Sequence, residues 1–177
     1  MRSGVRLGVD VGKARIGVAR CDLHGMLATP VETVVRDPEE TQDIARLVEL
    51  AREHEAIEIV VGLPLNLRGE HTPSTEDALG FADRLAAALG SDQRCAAVSV
   101  RLVDERLSTV SAHGQMRQVG RKTKQSRSVI DQAAAVIILQ HALDSERAQG
   151  RAPGSTVTVS SSLAAGAGGL EQWEREQ

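Results

Sequence analysis

The sequence VRLGVDVGKARIGVARC, residues 5–21, decides the fold of this chain. It contains two short apolar runs, residues 5–11 and 16–21, joined by a tight link that begins at Gly12. Both runs are rich in β-branched residues, which favour strands, and a glycine at the joint permits a tight turn. The stretch therefore predicts a hairpin of two buried strands.

One carboxylate interrupts the first of these strands, at Asp10. An ionised carboxylate buried among valines is costly unless it is paired or binds a metal ion. Gly8 and Gly12 flank Asp10 without side chains, so another group can approach the backbone closely. From these residues alone, Asp10 is either a functional ligand or one half of an ion pair with Lys13 or Arg15 across the hairpin.

The composition of the chain narrows its function. A net charge of −3 over 177 residues means that any basic site for nucleic acid has to be local. The two cysteines make neither a disulfide framework nor a metal-spaced pair. With no Tyr, one Phe and one Trp, the chain lacks an aromatic platform for stacking bases, so phosphates and shape would carry nucleic-acid recognition. No leader pattern and no apolar run of about 18 residues is present, and we expect a cytoplasmic protein without membrane contact.

After the hairpin, the pattern predicts an alternation of strands and helices that ends in a helix apolar nearly all round. The predicted strands cover residues 27–35, 57–62 and 97–103, and the predicted helices cover residues 38–54, 73–89, 108–118 and 129–143. This order predicts an α/β fold: a mixed five-stranded sheet with an antiparallel three-strand start, then parallel crossovers, and helices on both faces. Residues 1–144 form the predicted domain, and residues 145–177, rich in Gly, Ser and Ala, form a predicted disordered tail.

Three carboxylates stand where an apolar residue or a strand end is expected. Asp10 lies within the first strand, Glu105 follows the strand at 97–103, and Asp131 opens the last helix. These elements can meet at one end of a mixed sheet, where open α/β folds place their sites. Ligands that are all carboxylates suit Mg²⁺ or Mn²⁺, and two such ions can activate water and stabilise the leaving oxygen in phosphodiester cleavage.

Each acid also has an alternative explanation. A slip of one residue exchanges strand faces, so Asp104 can stand in for Glu105 as the functional residue. Glu105 can also pair with Arg106 or Arg101. Asp131 fits a capping box with Ser128 at the start of the last helix. The residues alone leave these alternatives open.

Four segments, in order along the chain, carry a resemblance to a known family. They are LGVD with Gly12 and RIGVA in residues 7–19, VGLPLN in residues 61–66, DERLST in residues 104–109, and IDQAAAVIILQ in residues 130–140. Together these segments resemble the YqgF family, also called RuvX, of bacterial nucleases. The resemblance covers about residues 5–144.

The resemblance implies an RNase H-like fold, with Asp10, Glu105 and Asp131 as catalytic acids that bind Mg²⁺ or Mn²⁺. It implies a metal-dependent endonuclease that hydrolyses phosphodiester bonds in structured nucleic acid. The substrate that the resemblance implies is the 5′ end of pre-16S rRNA in ribosome biogenesis or, alternatively, a Holliday junction in DNA recombination and repair. Junction resolution needs two symmetric cuts and therefore favours a homodimer, whereas trimming an rRNA end can use one subunit.

A basic stretch without acidic residues, at 117–127, precedes the last helix. Beside the predicted acids it is a candidate phosphate clamp, although such a run can equally be a solvated loop. The hairpin link and the loop after the fourth strand offer further candidates. The predicted nucleic-acid-binding residues are Arg15, Asn66, Arg117, Arg121, Lys122, Lys124 and Arg127.

Two other classes of protein are alternatives. Actin-like and sugar-kinase ATPases share the Asp-x-Gly hairpin, but they need two lobes of this fold and 177 residues provide one. A non-catalytic nucleic-acid-binding module would use the same fold, yet the three acids are all present.

Overall fold

The computed structural model describes residues 1–107 and 124–159. The opening hairpin and the next strand form the predicted antiparallel meander. Its strands are β1 (Arg6–Val11), β2 (Arg15–Cys21) and β3 (Ala28–Val35). The elements that follow are α1 (Gln42–Glu53), β4 (Glu58–Leu63), α2 (Pro73–Ser91), β5 (Ser99–Asp104), a 3₁₀ turn (Glu105–Leu107), α3 (Lys124–Gln149) and β6 (Ser155–Thr156).

The strand order in the sheet is β3-β2-β1-β4-β5-β6. Strands β1, β4 and β5 run parallel to one another, and the short β6 pairs antiparallel with β5. The predicted α/β fold, with an antiparallel start and parallel crossovers, is confirmed. The structure adds β6 to the five strands that the pattern predicted.

Alternation along β1 separates the two faces of the sheet, because successive strand residues point to opposite sides. Leu7 and Val9 are fully buried in the larger core, which α1 and α2 cover. The opposite face packs against α3, through Ile138 and Leu139 among others. Asp10 follows Val9 and therefore lies on the α3 face.

Close packing of α3 depends on glycines of the opening motif. A Cβ on Gly17 would lie 1.8 Å from the backbone oxygen of Asp131, and a Cβ on Gly8 would lie 2.6 Å from the Cβ of Leu139. Any side chain at Gly17 would push the helix away from β2. The glycines therefore set how near the start of α3 lies to the hairpin.

Helix α1 begins later than predicted, at Gln42 instead of next to Asp37. The Asp37 side chain accepts a hydrogen bond from the backbone N–H of Glu40 at 3.0 Å, which closes a turn before the helix. The residue that precedes the helix, Thr41, has a left-handed backbone with φ 60°. A local turn therefore stands where the sequence pattern predicted the first turn of this helix.

The structure differs from the predicted disordered tail over residues 145–159, which contain the end of α3 and strand β6. Helix α3 continues to Gln149, and Glu146 on it is 2% exposed. Strand β6 then joins the sheet, where Arg101 on β5 donates to the backbone oxygen of Gly154 at 2.8 Å. A strand of two residues leaves no hydrophobic periodicity to detect, which is why the composition suggested a tail.

Two predicted segments lie outside the described residues. They are the helix at 108–118 and the tail from residue 160 onward. Within residues 1–107 and 124–159, none of the helices is long and apolar enough to cross a membrane.

Candidate active site

A cleft of about 280 Å³ opens at the end of the sheet where the parallel strands finish. The β1–β2 turn, the loop after β4, the first turns of α2, the 3₁₀ turn and the start of α3 form its walls. This is the end at which open α/β folds place their sites. Its polar lining residues are Asp10, Lys13, Ser74, Asp77, Glu105 and Asp131.

The three predicted catalytic acids line this one cleft. Asp10 lies near the end of β1, opposite Gly17 of β2. Glu105 opens the 3₁₀ turn directly after β5, and Asp131 comes from α3. The structure therefore brings together residues that are far apart in sequence, while their roles as catalytic metal ligands stay a prediction.

The structure places the side chains of Asp104 and Glu105 differently at the end of β5. Glu105 lines the cleft, and its Oε1 lies 2.5 Å from where a Cβ on Gly62 would be. Glu105 can therefore reach across the end of β4 because Gly62 has no side chain. Asp104 instead accepts from Nη2 of Arg106 at 2.6 Å, and this bond lowers the pKa of Asp104.

Asp131 is paired with a cation of the hairpin. Nε of Arg15 donates to Oδ2 of Asp131 at 2.7 Å, and the side chains are 32% and 24% exposed. The sequence offers Arg15 as one of two possible partners for Asp10, and the structure shows it bound to Asp131. The capping box of Asp131 with Ser128 is excluded, because α3 begins before Ser128 at Lys124.

The sequence patterns did not identify two polar residues of the cleft, Ser74 and Asp77 in the first turns of α2. Arg36 donates to Asp77 at 2.9 and 2.8 Å, which lowers the pKa of Asp77. The same guanidinium donates to the backbone oxygen of Gly12 at 2.9 Å and thereby ties the hairpin turn to α2. Acids near a helix start are common because they complement its dipole, so the sequence contained no specific signal.

The structure describes some of the predicted nucleic-acid-binding residues and not others. Oδ1 of Asn66 accepts from the backbone N–H of Arg68 at 3.0 Å and of Glu70 at 2.8 Å, so this side chain closes its own loop. Arg127 is exposed on α3. Phosphate contacts by either residue stay predictions. Outside the described parts of the chain lie Arg117, Arg121, Lys122 and the side chain of Lys124.

Residues 4–145 match the RuvX family, which is described as Holliday junction resolvase. The chain belongs to this family. A relative from Clavibacter michiganensis subsp. michiganensis is 59% identical over 157 residues, which are 89% of this chain and 93% of the relative. A relative from Streptomyces avermitilis is 54% identical over 160 residues, which are 90% and 97% of the two chains. Both relatives are named "Putative pre-16S rRNA nuclease".

The fold of this RuvX family member is similar to that of RuvC from Thermus thermophilus, solved in complex with a Holliday junction substrate. The TM-score is 0.55 at 15% identity, and the match covers 85% of this chain and 99% of RuvC. At this identity the likeness shows the RNase H-like fold alone, which confirms the fold that the sequence motifs implied.

The acid-rich lining of the RuvX cleft fits a hydrated divalent cation. Four carboxylates and one lysine line it, and carboxylate oxygens are the ligands that Mg²⁺ and Mn²⁺ prefer. Among residues 1–107 and 124–159, no three His, Cys, Asp or Glu residues already surround one point. Because Mg²⁺ keeps several of its waters, it needs only one or two direct carboxylate ligands. Asp131 could become such a ligand by exchanging its bond with Arg15.

Proposed function

We propose that this protein is a metal-dependent endonuclease that hydrolyses phosphodiester bonds and processes the 5′ end of pre-16S rRNA. The observation that carries the proposal is the convergence of Asp10, Glu105 and Asp131 in one cleft. The names of relatives at 59% and 54% identity support the choice of substrate. Membership of a family of resolvases supports the nuclease class, which makes the protein a hydrolase acting on ester bonds.

In this proposal the three acids hold Mg²⁺ or Mn²⁺. When bound, such ions supply the activation of water and the stabilisation of the departing oxygen. Lys13 lies in the turn at the cleft wall and provides a positive charge for a substrate phosphate. Arg36 holds this turn against α2 through its bonds to the Gly12 oxygen and to Asp77, so the wall is positioned before the substrate arrives.

A four-way DNA junction is the second candidate substrate. The description of the RuvX family favours it. Resolution of a junction requires two symmetric cuts, so this function needs a homodimer with two clefts. Trimming of an rRNA end requires one cleft, and the oligomeric state during turnover therefore bears on the choice.

The deciding experiment presents both substrates to the purified protein. A pre-16S rRNA fragment with its 5′ extension and a four-way DNA junction are incubated side by side with Mg²⁺, with Mn²⁺ or with EDTA. We expect the RNA extension to be cleaved with either metal and to survive in EDTA. Cleavage of the junction alone would assign the second function, and cleavage of neither substrate would contradict the nuclease proposal.

A matched pair of variants tests the site itself. Glu105→Gln removes a carboxylate of the cleft, and we expect cleavage to fall at least about a hundredfold. Asp104→Asn makes the same change one residue earlier, on a side chain bound to Arg106, and should keep most of the activity. The opposite ranking would mean that Asp104 is the functional acid.

A further inference from the structure

The ion pair between Arg15 and Asp131 joins the hairpin to α3, and Asp131 lines the cleft. A single distance of 2.7 Å links Nε to Oδ2, and the two side chains are 32% and 24% exposed. Water screens a pair this accessible, so it contributes little to folding. The pair can therefore exchange partners at low cost.

The backbones that carry both side chains are held in place. The oxygen of Arg15 accepts from the N–H of Gly12 at 2.9 Å, and Arg15 pairs with Val35 of β3. The backbone of Asp131 lies against Gly17, at a distance that only glycine permits. An exchange of partners thus requires movement of the two side chains and not of the sheet or the helix.

We propose that Arg15 is an internal counter-ion for Asp131, which a divalent cation displaces and thereby releases to bind a substrate phosphate. This inference rests on the proposed metal-dependent nuclease. A divalent cation on Asp131 competes for the same carboxylate oxygens and repels the guanidinium. The planar guanidinium, with its five N–H donors, suits a phosphate better than a point charge does. Metal binding and phosphate binding are therefore coupled through Arg15.

Binding of Mn²⁺ without nucleic acid tests the first half of the proposal. Arg15→Gln removes the guanidinium that competes with the metal ion for Asp131. We therefore expect this variant to bind Mn²⁺ about fivefold more tightly than the wild type, as measured by electron paramagnetic resonance. Lys13→Gln is the matched control, since it removes one positive charge from the same turn but no bond to Asp131. The gain in Mn²⁺ affinity of Lys13→Gln should stay below about twofold, because water and salt screen the effect of a charge that does not contact Asp131.

The salt dependence of nucleic-acid binding tests the second half. The probe is a four-way DNA junction, measured with Ca²⁺ and again in EDTA. If Arg15 reaches a phosphate only after its release, Arg15→Gln flattens the slope of log K against log salt by about 0.9 with Ca²⁺. In EDTA the slopes of the variant and the wild type should coincide.

Specific results would overturn the proposal. One is a Mn²⁺ affinity of Arg15→Gln no higher than that of Lys13→Gln. Another is a salt slope that changes equally with Ca²⁺ and in EDTA, or not at all. If Arg15→Gln does not fold, Arg15→Lys replaces it, and a shorter cation should give a smaller gain in Mn²⁺ affinity. A wild-type protein that binds no Mn²⁺ would instead contradict the metal-dependent nuclease, so the two failures are distinguishable.

Discussion

Two groups of charged residues lie at opposite ends of the same sheet, and they are built differently. The basal cluster consists of Arg2, Arg6, Glu58 and Glu146, at the end where β1 and β4 begin. In it, Arg6, Glu58 and Glu146 are 1%, 0% and 2% exposed. The cleft acids, Asp10, Glu105 and Asp131, lie at the other end, where Asp131 has a partly exposed partner.

The basal cluster balances two carboxylates with two arginines. Arg2 donates to both oxygens of Glu58 at 3.0 Å, and Arg6 donates to Glu146 at 3.1 Å. Removing one member of such a buried set leaves an uncompensated charge and lowers the free energy of unfolding. The cleft has more carboxylates than cations and is open to water, so its acids can serve a ligand. Burial thus separates the acids of the basal cluster from those that line the open cleft.

The largest expected effect is on activity, from Asp10→Asn in the cleft. The change replaces an ionised ligand with a neutral isostere, so cleavage of the 5′-extended RNA should fall at least about a hundredfold. The free energy of unfolding should change by no more than about 0.5 kcal/mol. Gel-based cleavage and urea unfolding measure the two quantities. Wild-type cleavage would remove Asp10 from the site.

The basal cluster should show the opposite response. Glu146→Ala takes a carboxylate away from the buried Arg6, and we expect a loss of about 3–5 kcal/mol in the free energy of unfolding. Asp144→Ala, two residues earlier on α3, removes an exposed pair with Arg147 and should cost no more than about 1 kcal/mol. Equal losses of unfolding free energy for the two variants, measured by urea unfolding, would contradict a structural role for the buried basal cluster.

Acid should act on the basal cluster through Glu146. The hydrogen bond from Arg2 lowers the pKa of Glu146 to about 2 in the folded protein. An unfolded Glu titrates near pH 4.3, roughly, so this stabilisation is complete above that pH and is lost as the pH falls toward 2. Unfolding free energies measured across this range should fall more steeply for the wild type than for Glu146→Gln. Parallel profiles would show that the bond contributes nothing.

The smallest effect is expected at Gly17, against which the start of α3 packs. Gly17→Ala pushes against the Asp131 backbone, and we expect a loss of about 1–3 kcal/mol together with weaker cleavage. Gly80→Ala in α2 meets no atom within 4 Å and should stabilise the helix by about 0.5–1 kcal/mol. Thermal unfolding and the cleavage assay compare the pair. Full activity of Gly17→Ala would mean that the position of α3 tolerates displacement.

Much of the fold followed from local patterns. The β-branched runs around Gly12 predicted the hairpin, and the alternation of strands and helices predicted a mixed sheet with an antiparallel start and parallel crossovers. The order of the family motifs placed Asp10, Glu105 and Asp131 in one site, and the structure places them in one cleft. These features can be predicted from the sequence because strand propensity, turns and motif order depend on neighbouring residues.

Pairing between distant residues was decided by the tertiary structure alone. By sequence, Arg15 is a possible partner for Asp10, and in the structure the approach of α3 to Gly17 brings Asp131 to Arg15. Arg6 stands in an apolar run, and only the parallel register of β1 with β4 places it near Glu58. The sequence by itself determined which acids are present and the order of the elements that carry them. Register and helix position determined which acids lie in the basal cluster and which line the cleft, because both depend on contacts between segments far apart in the chain.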